Sequence, residues 1–173
     1  MHKNGIFESD KKRYVHEGPS HAVRCMFWLR AEQCSKSFVI RSLATLFLKF
    51  YRLFFGLELG HGKNIGPGFY LGHAWNITIN SGAIIGSNCN IHKGVVIGQC
   101  NRGARKGAPV IGNNVWIGAN AVVVGHVIIG DDVLIAPNAY INCDVPSHSV
   151  VIGNPCTIKH RDNATENYIC YKA

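Results

Sequence analysis

The sequence is poor in the features that mark several common classes of protein. Only six prolines accompany 19 glycines among 173 residues, so the composition is not that of a collagen or a flexible linker. None of the seven cysteines forms a CxxC pair or a zinc-finger spacing with a histidine, which argues against a disulfide framework and a structural zinc site. The net charge of +8 comes with no nucleic-acid-binding motif, so we expect no nucleic-acid partner.

The sequence also lacks a run that could span a membrane. The longest apolar stretch, residues 38–55, contains Arg41, Lys49 and Arg52, and three charges exclude a transmembrane helix. The N-terminus is polar, without the apolar segment of a signal peptide. Together with unpaired cysteines, these absences predict a cytoplasmic protein.

Residues 38–55 instead predict an amphipathic helix. Arg41, Thr45, Lys49 and Arg52 share one stripe, and the remaining surface is apolar and aromatic. Such a helix can lie on the inner face of a membrane, or it can pack on the rest of the chain and against neighbouring subunits. We favour packing and keep peripheral membrane contact through residues 38–55 as the alternative.

From residue 65 onwards the sequence repeats with a period of six. This period is neither that of a helix nor that of a plain strand, and it predicts a short strand and a turn in each block, with three blocks closing a triangular coil. Buried aliphatic side chains, each worth roughly 1.5–3 kcal/mol, would stack inside the prism. We therefore predict an all-β solenoid, a parallel β-helix preceded by a short α-helical segment. The first position of every block is aliphatic: Ile65, Leu71, Ile79, Ile85, Ile91, Ile97, Ile111, Ile117, Val123, Ile129, Ile135 and Ile141.

The repeat divides the chain into three parts. Residues 1–56 are expected to form an N-terminal tail and amphipathic helices. Residues 57–160 would form the β-helix domain, with a loop at 99–109. Residues 161–173 would form a C-terminal tail.

Two interruptions of the period predict where the functional site lies. The first adds two residues between Leu71 and Ile79, and the second is the loop 99–109. Insertions into a solenoid commonly carry its function. His73 lies in the first interruption, and a positioned histidine is the usual base for activating a hydroxyl.

The stretch FFGLELGHGKNIGPGFYLGHAWNITINSGAIIG resembles the serine O-acetyltransferases and, more closely, the short capsule and exopolysaccharide O-acetyltransferases of the colanic-acid type. Both are hexapeptide-repeat acetyltransferases. The resemblance implies a left-handed coil, a homotrimer and acetyl-CoA as co-substrate, with no metal. It also implies that His73 is the general base and that Glu58, fifteen positions earlier, orients its imidazole.

The same resemblance implies a CoA site in the groove between neighbouring prisms. Backbone groups near Ala119 and Ala136 would contact the pantetheine arm, and Lys159 would bind the phosphates. Arg105, in the loop 99–109, is expected to bind either CoA or an anionic acceptor. We expect His92 and His126 to be surface residues.

Two departures from the pattern of the serine enzymes favour another acceptor. Gly72 stands where those enzymes carry Asp, and Gly107 and Ala108 stand where they carry an Arg-His pair. Those side chains hold the amino acid. We therefore expect transfer to a hydroxyl of a saccharide, a precursor of capsule or exopolysaccharide, with serine as the alternative.

A non-enzymatic β-helix, a scaffold or binding module, is the third possibility. Related proteins of that kind include metal-dependent ones that bind zinc through three histidines. The spacing of His61, His73 and His92 does not match such a ligand set, so we predict no metal site.

Overall fold

The structure is a computed structural model that describes residues 3–16, 18, 20–60 and 64–173. Three helices come first: α1 (Lys3–Lys12), α2 (His21–Cys34) and α3 (Phe38–Phe55). Short strands follow: β1 (Tyr70–Gly72), β2 (Thr78–Ile79), β3 (Ile84–Ile85), β4 (Asn90–His92), β5 (Val96–Gly98), β6 (Val110–Ile111), β7 (Val115–Ile117), β8 (Val122–Val124), β9 (Ile128–Ile129), β10 (Val133–Ile135), β11 (Tyr140–Ile141), β12 (Ser149–Ile152) and β13 (Thr157–His160).

The strands form the three faces of a parallel β-helix. Sheet 1 has the order β1-β4-β7-β10-β12-β13, sheet 2 the order β2-β5-β8-β11, and sheet 3 the order β3-β6-β9. Strands three apart in the chain pair in parallel, so each coil contributes one strand to each face. Only β13 among these strands runs antiparallel, against β12. The predicted triangular coil is therefore present.

The core of the prism is the predicted stack of aliphatic residues. Every first-position residue, from Ile65 to Ile141, is at most 4% exposed. Ile79 pairs with Ile97 and Ile117 with Ile135, in each case eighteen positions apart. In the uninterrupted blocks from Ile79 onwards the fifth positions are buried too, and they are Ala or Val apart from Cys89; in the first block this position is the buried Phe69. Stacking of like side chains in register explains how so small a prism obtains a continuous core.

The N-terminal segment carries a helix where a tail was expected. Asp10, at the end of α1, forms a buried salt bridge with Arg30 of α2 at 2.7 Å between Oδ2 and Nε. Asp10 also accepts a hydrogen bond from the backbone N–H of Phe69, and Arg30 donates to the carbonyl of Ile65. This pair joins α1 and α2 to the first coil. Its charged residues gave no apolar pattern from which α1 could be predicted.

The helix predicted over residues 38–55 is α3. Ser37 caps its start, because its hydroxyl accepts from the N–H of Ile40, and Gly56 ends it in the left-handed conformation at φ 65°. α3 packs on α2, where the rings of Trp28 and Phe47 are stacked with centroids 4.0 Å apart. Among the described residues, no helix combines the length and the apolar character that a bilayer crossing needs.

The C-terminal residues 161–173 run back along the outside of sheet 1. Asn90 donates to the carbonyl of Tyr168, and the hydroxyl of Tyr171 lies 2.6 Å from Nε2 of His16. Asp132 fixes the start of this segment by accepting hydrogen bonds from Ala164 and Thr165. The segment therefore covers part of the face that leads to the candidate site.

Candidate active site

The turn after β1 contains the two residues that the first coil has in excess. Gly72 O accepts from the N–H of Lys93, and Trp75 O accepts from the N–H of Gly94. Consecutive residues of the next coil thus bond to residues three positions apart in this one. The two residues bulging between them are His73 and Ala74, so the predicted interruption of the repeat lies at the candidate base.

The N-terminal helices hold this turn in place. Nε2 of His21 lies 2.9 Å from the carbonyl oxygen of Ala74, and the His21 ring stacks on Phe55 with centroids 4.7 Å apart and planes at 10°. Phe55 O accepts from the N–H of Asn76, and the Phe55 ring contacts Trp75. α2 and the end of α3 therefore act as the support of the His73 turn. Sequence analysis missed His21, since its partner is a backbone carbonyl far along the chain.

His73 itself is exposed and adopts an uncommon backbone conformation, with φ of 49°. In the later coils this corner has Gly94, Asn120 and Asn138 with positive φ, and the residue of the first coil that matches them is Asn76. The left-handed conformation at His73 therefore occurs only in the bulged turn and has no counterpart in those later coils. Such conformations are frequent at functional sites. It presents an imidazole to solvent at a corner of the prism.

Glu58 lies next to sheet 2, where its backbone bridges to Thr78. Its carboxylate pairs with Arg52 at 3.6 Å between Oε2 and Nη2, and both side chains are substantially exposed. Within the described residues, no hydrogen bond or ion pair connects Glu58 with His73. The pairing of Glu58 with His73 as orienting acid and base therefore stays a prediction.

His92 is the nearest ring to His73 and was expected to be a surface residue. The structure corrects that expectation: His92 is half-buried, its centroid lies 6.4 Å from that of His73, and its buried Nε2 has no hydrogen-bond partner among the described residues. Burial, with a smaller effect of His73, lowers the pKa of His92 to about 4. His92 is therefore neutral at physiological pH. The sequence signal for the burial of His92 is the glycine at its register partner in the neighbouring coil, Gly72, which leaves room for the ring.

An aromatic stack continues from His92 along sheet 1. The His92 centroid lies 4.7 Å from that of Trp116, which lies 5.1 Å from that of Tyr168 in the C-terminal segment. A cavity of about 260 Å³ opens beside this stack, and Arg13, His16 and Asn90 contribute to its lining. Trp116 therefore packs between His92 and the C-terminal segment of the same chain.

The loop 99–109 leaves the coil between β5 and β6, as predicted. Cys100 and Gly107 close it through two mutual backbone hydrogen bonds of 2.9 Å. Arg105 is drawn back onto the prism, where Nη1 lies 2.6 Å from Oδ1 of Asp144. The hydrogen bond from the N–H of Ile128, followed by the one from Arg105, lowers the pKa of Asp144. In this structure Arg105 is therefore paired within its own chain.

Two of the residues expected at the CoA site share a corner with His73. Ala119 follows β7 and Ala136 follows β10, as His73 follows β1, so all three lie between sheets 1 and 2. Ala119 O accepts from the N–H of Asn138, and Ala136 is half-buried. Lys159, in β13, pairs with Val150 and has an exposed side chain. The corner between sheets 1 and 2 therefore carries the small side chains of Ala119 and Ala136 in the coils beyond His73.

No three His, Cys, Asp or Glu side chains converge on a metal site in the described part of the chain. His61, one of the three histidines considered for zinc, lies outside the described residues. The cysteines of the structure are free, including the buried Cys25 and Cys89.

Comparison with known proteins shows what this chain is similar to. Residues 108–143 match the family described as "Bacterial transferase hexapeptide (six repeats)". The match lies within the β-helix described above, and over these residues the chain is similar to that family.

Two curated relatives are serine acetyltransferases. The chain is 36% identical over 110 residues to serine acetyltransferase of Synechococcus elongatus, covering 64% of this chain and 45% of the relative. It is 34% identical over 117 residues to serine acetyltransferase of Helicobacter pylori strain 26695, covering 68% and 66%. The chain therefore spans about half to two thirds of the length of these relatives.

Solved structures of serine acetyltransferases are similar to this chain over more of its length. The crystal structure of serine acetyltransferase from Neisseria gonorrhoeae superposes with a TM-score of 0.75 at 25% identity, covering 92% of this chain and 66% of that one. The Brucella abortus enzyme in complex with coenzyme A has a TM-score of 0.76 at 20% identity, over 91% and 68%, and shows the shared fold.

These comparisons correct two expectations. The closer resemblance to capsule and exopolysaccharide enzymes is not supported, and the saccharide acceptor is contradicted, because the relatives in sequence and structure are serine acetyltransferases. We interpreted the missing side chain at Gly72 as a lost anchor for an amino acid, but the imidazole of His92 fills that space, so packing accounts for this glycine and it does not argue against serine. The alternative acceptor, serine, is the better supported of the two.

Proposed function

We propose that this chain is an acetyl-CoA-dependent O-acetyltransferase of the serine acetyltransferase type, with the hydroxyl of serine as its acceptor. The observation that carries the proposal is the bulged His73 turn, which presents an exposed imidazole at the corner along which Ala119 and Ala136 lie. The relatives supply the substrate class, since those compared are named serine acetyltransferases.

The proposed reaction needs one base and one extended groove. His73 accepts the proton of the serine hydroxyl while the hydroxyl oxygen bonds to the carbonyl carbon of the thioester. The carbon–sulfur bond then breaks, and the imidazolium returns the proton to the leaving thiolate. The products are the O-acetyl ester and free CoA.

The corner of the prism fits a linear arm. Neighbouring coils are about 4.8 Å apart, so Ala119 and Ala136, two and three coils beyond His73, would lie roughly 10 and 14 Å along the corner from it. Small side chains there leave backbone groups accessible to a pantetheine chain. Lys159 and Arg105 remain proposed partners of the CoA phosphates; Arg105 would first have to leave Asp144.

A homotrimer is part of the proposal, with the site in the groove between prisms. It is supported by what one chain lacks: Glu58 pairs with Arg52 and no ion pair joins it to His73 among the described residues. A groove shared with a neighbour would supply the second wall of the site. Sedimentation equilibrium would test this, because a trimer has three times the chain mass of 19.0 kDa.

The acceptor is tested by measuring release of free CoA from acetyl-CoA with L-serine, and with D-serine, threonine and homoserine as matched acceptors. We expect L-serine to be the best of these substrates. CoA binding without transfer to any of them would refute the serine acceptor and leave the class intact. Neither transfer nor thermal stabilisation by CoA would instead favour the scaffold alternative.

A further inference from the structure

The helix α3 has three distinct sides. At 100° per residue, the packed side contains Ala44, Leu48, Tyr51 and Phe55, of which Ala44 and Tyr51 are buried. A second side is polar and basic, with Arg41, Thr45, Lys49 and Arg52 exposed. The third side is apolar and also exposed, and we call it the α3 apolar face: Val39, Ile40, Leu43, Leu46, Phe47, Phe50, Leu53 and Phe54.

The α3 apolar face is large for a surface feature. It spans about 140° of the helix and, from Val39 to Phe54, roughly 24 Å of its length. Leu46 and Leu53 are 63% and 79% exposed. A contiguous patch of this size, unlike single exposed apolar residues, indicates an interaction surface.

The patch continues onto the neighbouring helix as an aromatic groove. Phe27 and Trp28 of α2 and Phe47 and Phe50 of α3 line a groove of about 400 Å³, with Arg24 at its edge. The rings meet edge to face or stacked, at 5.1 Å for Phe27–Trp28 and 4.0 Å for Trp28–Phe47. Phenylalanine and tryptophan beside an amphipathic helix are typical of surfaces that enter the lipid headgroup region.

The charges around the α3 apolar face favour an anionic lipid surface over a second copy of the same face. Both borders of the α3 apolar face are cationic, with Arg24 along the groove and Lys49 on the adjoining side, while α3 itself contains no acidic residue. The nearby carboxylate of Glu58 is paired with Arg52. A second copy of the face in a twofold contact would bring like charges together, and a cyclic trimer does not place a surface against itself, whereas anionic lipid headgroups would neutralise both borders.

We propose that the α3 apolar face docks on the surface of an anionic lipid bilayer, with α3 lying in the plane of the interface. The apolar face enters the headgroup region and Arg24 and Lys49 contact lipid phosphates. The fold places the face on the helices that support the His73 turn, so docking would hold the candidate site beside the membrane without any segment crossing it.

Vesicle sedimentation of the full chain tests the proposal. Vesicles of phosphatidylcholine mixed with phosphatidylglycerol should bind the protein, more weakly at high salt than at low salt. Leu46→Asn/Leu53→Asn should reduce binding at least tenfold, while Ile128→Asn/Ile152→Asn, exposed apolar residues in β9 and β12 of the later coils, should leave it unchanged. Arg24→Gln/Lys49→Gln should remove the preference for the mixed vesicles over phosphatidylcholine alone.

Two outcomes would overturn the proposal. Failure of the wild-type chain to bind the mixed vesicles would be one, since the face would then have no affinity for lipid. The other is a smaller assembly mass for Leu46→Asn/Leu53→Asn with vesicle binding unaltered, which would show that the face is covered by another copy. Circular dichroism of each variant confirms that α3 is retained.

Discussion

The imidazole of His92 occupies the space that a side chain at position 72 would need: an ideal Cβ on Gly72 would lie 2.4 Å from Nδ1 of His92. Gly72 and His92 are register partners in neighbouring coils of sheet 1. The glycine at 72 and the histidine at 92 therefore form one structural unit, placed directly before His73.

The first prediction is that Gly72→Ala costs about 1–3 kcal/mol of stability through overpacking. In a His92→Ala background the cost should fall below about 1 kcal/mol, because the obstructing ring is gone. Gly98→Ala is the control, since its nearest contacts would be 3.7 Å or more away. Urea unfolding of the four variants of the cycle measures the coupling, and additive costs would show that the two residues are independent.

The second prediction concerns pH. Because the pKa of His92 falls to about 4 in the folded chain from an ordinary value of 6.5, the unfolded chain binds the proton more readily between these values. Stability contributed by neutral His92 is complete above about pH 6.5 and is lost as the pH falls to about 4. The urea midpoint of His92→Asn should depend less on pH across this interval than that of the wild type. Parallel curves would contradict a depressed pKa at His92.

The third prediction tests the link between the helices and the first coil. Asp10→Ala leaves the buried Arg30 guanidinium without its carboxylate and should cost about 3–5 kcal/mol. Glu8→Ala, an exposed carboxylate in the same helix, should change stability by less than about 0.5 kcal/mol. Thermal unfolding compares them, and equal losses would mean that the buried pair has no special role.

The fourth prediction assigns His21 as a positioning residue of the His73 turn. His21→Phe keeps a ring against Phe55 but removes the bond to the carbonyl of Ala74. Loss of one such bond, about 1 kcal/mol, should lower kcat about fivefold with KM unchanged. His160→Phe is the exposed control, and an equal kcat for the His21 and His160 variants would refute the assignment.

The repeat could be predicted from sequence because it is local. Each block of six residues contains the pattern of its own strand and turn. The coil and the stack from Ile65 to Ile141 could therefore be predicted from aliphatic spacing alone. The His73 bulge followed for the same reason, since two additional residues break a regular count. α3 also followed, as its amphipathic pattern and its caps lie within one stretch of sequence.

Other parts of the site depend on contacts between distant residues. His21 reaches the carbonyl of Ala74, and Asp10 reaches Arg30 and Phe69, and no periodicity marks such pairs. The role of Gly72 was misjudged because the side chain that fills its space, His92, belongs to the next coil. The space left by the missing side chain at Gly72 is thus filled by His92, twenty positions later in the chain.

The most direct test of the account is the rate of CoA release from acetyl-CoA and L-serine by His73→Asn, beside His126→Asn as a matched exposed histidine. Removal of a general base should lower kcat by roughly 10²–10⁴ in His73→Asn, with an unchanged melting temperature because the side chain is exposed. His126→Asn should retain the wild-type rate. A His73→Asn enzyme as fast as the wild type would contradict the claim that this imidazole is the base.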